Sequence, residues 1–193
     1  MRIGESVLSS AAVLPIAKRA AMPIEARLLA PLCSLLGCDD ADLCEEVLLA
    51  AHDPATYFER FEDDLLQRGI EEPERVSFWL ALVDGLQRRG ALWSFDWKDQ
   101  ADNLAAAMQM LAQRRGAELD WQPLASRGDE YGATSSFADA IQQILQPAEL
   151  VAVWLDTESD EYPACLVEAR QVDKLRGLAQ QLGQRIAVLD ADS

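Results

Sequence analysis

Apolar residues recur every three or four positions through the first half of the chain, the spacing of one helix face. Asp53-Pro54 predicts a helix start, with Asp as N-cap and Pro at the first helical position, and Gly69 predicts its end. Another apolar stripe predicts a helix that begins at Pro73 and ends at Gly90. Two further helices are predicted upstream, at residues 25–36 and after a capping box of Asp42 with Glu45. Residues 1–90 are therefore expected to be mostly helical.

The second half alternates short apolar runs with helical segments. The runs predict strands at residues 91–95, 150–155, 164–167 and 185–189, with a further short strand at 119–121. Asp99 is the predicted N-cap of the helix that follows the first of these strands. The pattern favours an α+β fold in which a helical N-terminal half packs on a small mixed β-sheet with flanking helices. We expect a single domain over residues 1–193, with residues 91–193 as its α/β part.

One short motif occurs twice, as Gln87-Arg88-Arg89-Gly90-Ala91 and as Gln113-Arg114-Arg115-Gly116-Ala117. Cations in a last helical turn complement the helix dipole, and a following Gly adopts the left-handed conformation that ends the helix. The motif therefore predicts two helix ends that each lead into a strand. A pair of anion-binding Arg clusters is the alternative interpretation.

The charge balance limits the classes of partner. The chain carries 17 basic and 33 acidic side chains, a formal charge of −16, and the excess is present in both halves. Such a field opposes sequence-independent binding to nucleic acid or to an anionic membrane, so neither is an expected partner. A basic protein or a cation is electrostatically easier to bind. A surface that is acidic only for solubility is the plainer interpretation.

Several kinds of chemistry lack their sequence motifs. The single histidine, His52, leaves no basis for His-dependent triads or multi-His metal centres, and no phosphate-binding glycine loop or serine-hydrolase motif is present. The spacing of Cys33, Cys38 and Cys44 does not match a zinc site, and together with Cys165 they are expected to be free thiols. The residues after Arg2 do not form a signal peptide or a membrane span, so a cytoplasmic location is expected.

A group of acidic and aromatic residues follows the predicted strands. If strands 91–95 and 150–155 run in the same direction, Asp96 and Asp156 emerge at one edge of the sheet, and strand 164–167 returns from that edge. The candidate binding residues are Asp96, Trp97, Lys98, Asp99, Asp156, Asp160 and Tyr162. Asp96, Asp99, Asp156 and Asp160 are also the candidate ligands of Mg²⁺ or Ca²⁺, which prefer carboxylate oxygens.

Three interpretations of this group remain open. The aspartates could only cap a helix and form turns, they could surround an aromatic anchor for a basic protein, or they could hold a divalent cation. We expect a non-catalytic, acidic interaction module of the regulatory or immunity type that binds a basic protein. The alternative is a divalent-metal-dependent enzyme that uses the four aspartates.

The same part of the chain resembles a known family. The run from Phe78 to Leu86, the later Phe95-Asp96-Trp97-Lys98-Asp99 and the segment from Asp156 to Tyr162 are similar to a bacterial domain-of-unknown-function family (6630) with an Asp-Trp-Lys-acid motif. The resemblance covers about residues 75–190 and leaves the first seventy residues outside. It implies the limits of the fold and brings no assigned activity.

Overall fold

The computed structural model describes residues 24–37, 39–96, 98–127 and 134–189, and it confirms the α+β class. The helices of these residues are α1 (Ile24–Gly37), α2 (Ala41–His52), α3 (Pro54–Arg60), α4 (Glu62–Gln67), α5 (Phe78–Arg88), α6 (Ala101–Arg114), α7 (Gln122–Ala125), α8 (Thr134–Leu145) and α9 (Val172–Gln181). The strands are β1 (Trp93–Phe95), β2 (Leu150–Leu155), β3 (Tyr162–Glu168) and β4 (Ile186–Val188). Short 3-10 turns occur at Pro73–Arg75, Gln146–Ala148 and Ala169–Gln171. No helix of the described residues is long and apolar enough to cross a bilayer.

The strands form one sheet in the order β1-β3-β2-β4, and each hydrogen-bonded pair is antiparallel. The expectation of a mixed sheet was therefore wrong. The predicted strand directions are correct, since β1 and β2 run the same way. β3 lies between them, however, because a strand that directly follows β2 through a short loop pairs with it as a hairpin.

Apolar side chains cover both faces of the sheet, as the near-continuous burial of β3 requires. On one face Val153, Leu155 and Cys165 pack with residues of α1, α2, α5 and α9. On the other face Ala152 and Leu166 pack with residues of α6, α7 and α8. The helical N-terminal part thus packs on one side of a small sheet, as predicted.

Several predicted helix starts are displaced by a few residues. Asp40 caps α2 by accepting a 3.0 Å hydrogen bond from the Leu43 amide, so the capping box of Asp42 with Glu45 was wrong. Pro73 begins only a 3-10 turn, and α5 begins after Ser77, whose hydroxyl accepts from the Leu80 amide at 3.1 Å. In each case a neighbouring short polar side chain reaches the free amides of the first helical turn.

Further differences concern helix continuity and a strand. The helix after Asp53 is broken at Phe61 into α3 and α4. Gln100 is the N-cap residue of α6, so the prediction of Asp99 as that cap was wrong. Residues 119–121 do not form a strand: they connect α6 to α7, and Trp121 packs in the core as the N-cap residue of α7.

The repeated motif ends α5 and α6 as predicted. Gly90 and Gly116 have φ angles of 62° and 74°, the left-handed conformation that favours glycine. Three of the arginines before them, Arg88, Arg89 and Arg115, bond to other helices. Arg115 donates to the carbonyl oxygens of Leu35 and Leu36 at the end of α1, at 3.0 and 2.9 Å. The motif therefore also joins neighbouring elements.

The side chain of Gln142 on α8 completes the pairing of β2 with the chain after β4. Its Nε2 donates to the carbonyl oxygens of Ala152 and Leu189 at 3.0 and 2.8 Å, and its Oε1 accepts from the Ala152 amide at 3.3 Å. The side-chain amide thus takes the place of a peptide group at the end of the ladder.

We predict that Gln142→Ala destabilises the protein by about 2 kcal/mol, because it removes the side-chain partner of the Ala152 amide and of the Leu189 carbonyl oxygen. Urea unfolding measures the change. Gln143→Ala, at the exposed neighbouring position, is the control and should change stability by less than about 0.5 kcal/mol. Equal effects of the two substitutions would contradict the proposed role of Gln142.

Candidate functional site

Asp96 and Asp156 lie at the same edge of the sheet, each directly after a strand. The registers that pair Phe95 with Tyr162 and Trp154 with Ala164 place the start of β3 between the ends of β1 and β2. Two strand spacings, about 9 to 10 Å, therefore separate the backbones of the two aspartates. This edge brings the predicted residues into one region but does not bring their carboxylates together.

Backbone turns use three of the four aspartates. Asp96 accepts a 3.1 Å hydrogen bond from the Lys98 amide, and the Asp96 amide donates to Asp99 at 2.9 Å. Asp156 accepts from the Glu158 amide at 3.0 Å. Such local bonds are the usual role of aspartate in turns. Asp160 is exposed in the same loop, and within the described parts of the chain no group of three or more metal-ligating side chains is placed to hold a cation.

The remaining predicted residues differ in environment. Tyr162 packs edge-on against Trp154, with ring centroids 5.9 Å apart. Arg185 stacks over the same indole at 5.5 Å and lies 3.8 Å from Asp156. Lys98 is exposed in the turn after β1. Trp97 lies outside the described residues.

Trp93 also belongs to this edge, although it was not among the candidate binding residues predicted from the sequence. Its side chain is 43% exposed, and β1 is an outer strand of the sheet. Trp93 stands opposite Ala164, which in turn stands opposite Trp154, so the two indoles share one face. We call the surface formed by Trp93, Asp96, Asp99, Asp156, Asp160 and Tyr162 the acidic edge.

A second polar cluster, which the sequence did not reveal, lies between α2 and α5. Glu46 is only 7% exposed and accepts hydrogen bonds from Arg88 at 2.8 Å and from Arg89 at 2.8 and 3.1 Å. Arg89 also donates to Asp40 at 3.0 Å, at the start of α2. The guanidinium of Arg88 stacks over Phe61, 4.3 Å from the ring centroid. Four charged groups thus join the α1–α2 connection to the end of α5.

Asp84, one turn before Arg88, is also buried and pairs with Arg68. Both carboxylates lose hydration, but their pKa values shift in opposite directions. Burial opposes ionisation of Glu46, yet the bonds from Arg89 and Arg88 outweigh it and lower the pKa of that carboxyl. For Asp84 burial dominates over the attraction of Arg68 and Arg88, and its pKa is raised. A cavity of about 220 Å³ lies beside Asp84, Arg68 and Arg88.

A larger, open cavity of about 1040 Å³ lies at the opposite end of the sheet from the acidic edge. Arg115, Gln142, Glu149, Glu168 and Arg170 line it. Most of these polar groups already have partners within the fold: Arg115 and Gln142 bond to backbone carbonyls, and Arg170 pairs with Glu168 at 2.6 Å. The cavity therefore lacks a convergent set of free polar groups that would define a ligand.

Comparison with known protein families gives a match that covers most of the described fold. The sequence model of the family described as Domain of unknown function (DUF6630) matches residues 28–190. The chain belongs to this family. The DUF6630 match begins within α1, so the expectation that the first seventy residues lie outside the family was wrong; the match includes both the acidic edge and the cluster around Glu46. No curated protein and no solved structure matches the chain.

We predict that millimolar Mg²⁺ or Ca²⁺ leaves the melting temperature of the protein unchanged, because the aspartates of the acidic edge are separated and bonded to backbone amides. A cation bound only to the folded state would raise the melting temperature by mass action. Thermal melts with and without each cation test this prediction. Stabilisation that disappears in Asp96→Asn or Asp156→Asn would contradict it and favour the metal-dependent alternative.

The opposite pKa shifts of Glu46 and Asp84 predict opposite pH dependences. The stability that ionised Glu46 contributes is lost as the pH falls below about 4.5 through its lowered pKa, so the parent protein should lose stability relative to Glu46→Gln. Ionised Asp84 opposes folding, so the parent should gain stability relative to Asp84→Asn as the pH falls from 7 toward 4 through the raised pKa. Urea unfolding between pH 3 and 7 measures both differences.

Glu45→Gln, which changes an exposed carboxylate on the same helix as Glu46, is the matched control. Changes of the same sign in Glu46→Gln and Asp84→Asn would contradict the assignment of opposite shifts.

Proposed function

We propose that this DUF6630-family chain is a non-catalytic, cytoplasmic interaction module, of the regulatory or immunity type, whose acidic edge binds a basic protein. The observation that carries the proposal is the position of Trp93. This large aromatic side chain is 43% exposed on an outer strand, in a surface that also contains four aspartates.

Trp93 has the properties of an interface anchor. Tryptophan is enriched among the residues that dominate binding energy, because its large ring gains much apolar contact on leaving water. Trp154 and Tyr162 lie on the same face and are partly buried, so a partner that covers Trp93 would meet a continuous aromatic surface. The sheet beneath this surface holds it rigidly. Binding would therefore cost little conformational entropy.

The carboxylates around Trp93 supply the charge selectivity. Their backbone hydrogen bonds fix the turns, and Asp96 and Asp160 remain exposed to solvent. Separated carboxylates of this kind suit several lysine or arginine side chains better than one small cation. The net charge of −16 extends the attraction beyond the edge itself and would speed the encounter with a basic partner.

The experiment captures partners from a lysate of the source cells on immobilised protein and identifies them by mass spectrometry. The test variants are Trp93→Ala and the double variant Asp96→Asn/Asp160→Asn. The matched controls are Met110→Ala, which removes a 50% exposed apolar side chain elsewhere, and Glu59→Gln/Asp63→Asn, which removes two exposed charges on α3 and α4.

We expect one basic protein to bind the parent and both controls, and to be lost or weakened with both test variants. With the purified partner, Trp93→Ala should weaken binding about 30-fold, the equivalent of about 2 kcal/mol. Binding should also weaken as salt rises from 0.1 to 0.5 M, since the Debye length falls from about 10 Å to about 4 Å. Retention that the edge variants do not change, or capture of no basic protein at low salt, would overturn the proposal.

A further inference from the structure

Two cysteines face each other across the α1–α2 hairpin. Cys33 lies one turn before the end of α1 at Gly37, and Cys44 lies three residues after the start of α2 at Ala41. The two helices are in contact, and both cysteines belong to the same apolar cluster, Cys33 as a buried member and Cys44 packed against it. The two side chains therefore lie at the same level of the hairpin.

The environments of the two sulfurs differ. Cys33 is fully buried in the core between the helices and the sheet, whereas Cys44 is partly exposed at the margin of that core. Hydrogen bonding with the Cys33 thiol lowers the pKa of Cys44 to about 7, although burial and the charge of Glu45 oppose this effect. The same bond, together with burial, raises the pKa of Cys33. Cys44 is therefore the accessible nucleophile and Cys33 a protonated neighbour.

We propose that Cys33 and Cys44 form a reversible redox pair in which a hydroperoxide oxidises Cys44 and Cys33 resolves the product as an intramolecular disulfide. The Cys44 thiolate attacks the peroxide oxygen, the O–O bond breaks, and the leaving oxygen takes a proton to give water or an alcohol. The Cys33 sulfur then attacks the sulfenic acid of Cys44. The S–S bond forms, and the hydroxyl group leaves with the Cys33 proton as water.

This chemistry transfers two electrons from the two thiols to one peroxide. A low-molecular-weight thiol returns them by thiol–disulfide exchange, and its attack begins at the more accessible Cys44 sulfur. Cys165, in contrast, is fully buried in β3, so its thiol is not accessible to peroxide. The pair lies on the hairpin that also carries Asp40 and Glu46, and a disulfide would join the two helices there.

The experiment treats the reduced, folded full-length protein with stoichiometric hydrogen peroxide at pH 7. Intact mass and non-reducing peptide mapping are measured before and after addition of dithiothreitol. We expect a loss of 2 Da, a Cys33–Cys44 linked peptide, and full reversal by dithiothreitol. Cys38→Ser, which leaves the pair unchanged, is the matched control and should give the same product. Cys44→Ser should give no disulfide.

A second measurement tests the role of the hydrogen bond. The initial rate of iodoacetamide alkylation at Cys44, followed by peptide mapping at pH 7, should fall several-fold in Cys33→Ala, because the variant lacks the donor that stabilises the thiolate. Circular dichroism verifies that the variant is folded. If Cys33→Ala does not fold, the peptide map of the peroxide-treated parent protein decides the proposal. Three results with the peroxide-treated parent protein would overturn the proposal. They are a disulfide that involves Cys38, oxidation of Cys44 without a disulfide, and an unchanged mass.

Discussion

The N-terminal helices are held in place by one buried carboxylate that is balanced by two guanidinium groups. An uncompensated charge at the position of Glu46 would cost several kcal/mol, so α2 docks on α5 only in the arrangement that lets Arg88 and Arg89 reach it. The packing of Leu43, one turn before Glu46 on α2, requires the same close approach of α2 to α5. A Cβ atom at Gly85 would lie only 2.5 Å from Leu43 Cδ1, so glycine allows this contact on α5.

The same helix connects this cluster to the sheet. The indole N–H of Trp79 on α5 donates to the carbonyl oxygen of Asp156 at 2.7 Å, directly after β2. The position of α5 is therefore fixed at one end by ion pairs with α2 and, on its inner face, by a hydrogen bond to the sheet. Through that bond the helical part supports the turn that carries Asp156, which belongs to the acidic edge.

The order of the strands determines the character of the acidic edge. With β3 between β1 and β2, the aspartates that follow the two outer strands of this trio are too far apart to share a cation directly, and each forms its own turn. The same order leaves β1 at the outside of the sheet and Trp93 exposed. Separated charges and an exposed indole are consequences of one strand order, and the proposed binding of a basic protein depends on both.

Much of the candidate site could be derived from strand directions. The expectation that Asp96 and Asp156 share one edge needed only two strands that run the same way and a third that returns. Trp93 could not be assigned, because whether a strand is central or outer depends on pairing with distant residues. Glu46 and Asp84 could not be assigned either, since their burial depends on arginines that come from other parts of the chain.

The sequence by itself determined the elements whose signals are local. Gly90 and Gly116 end their helices because glycine tolerates the positive φ that a helix end requires, and apolar runs identified β2 and β3 because buried strands need them. Only the tertiary structure decided the strand order, the exposure of Trp93 and the pairing of Glu46 with Arg88 and Arg89. The reason is that each depends on the free energy of contacts between residues far apart in the chain, which no local pattern of residue types encodes.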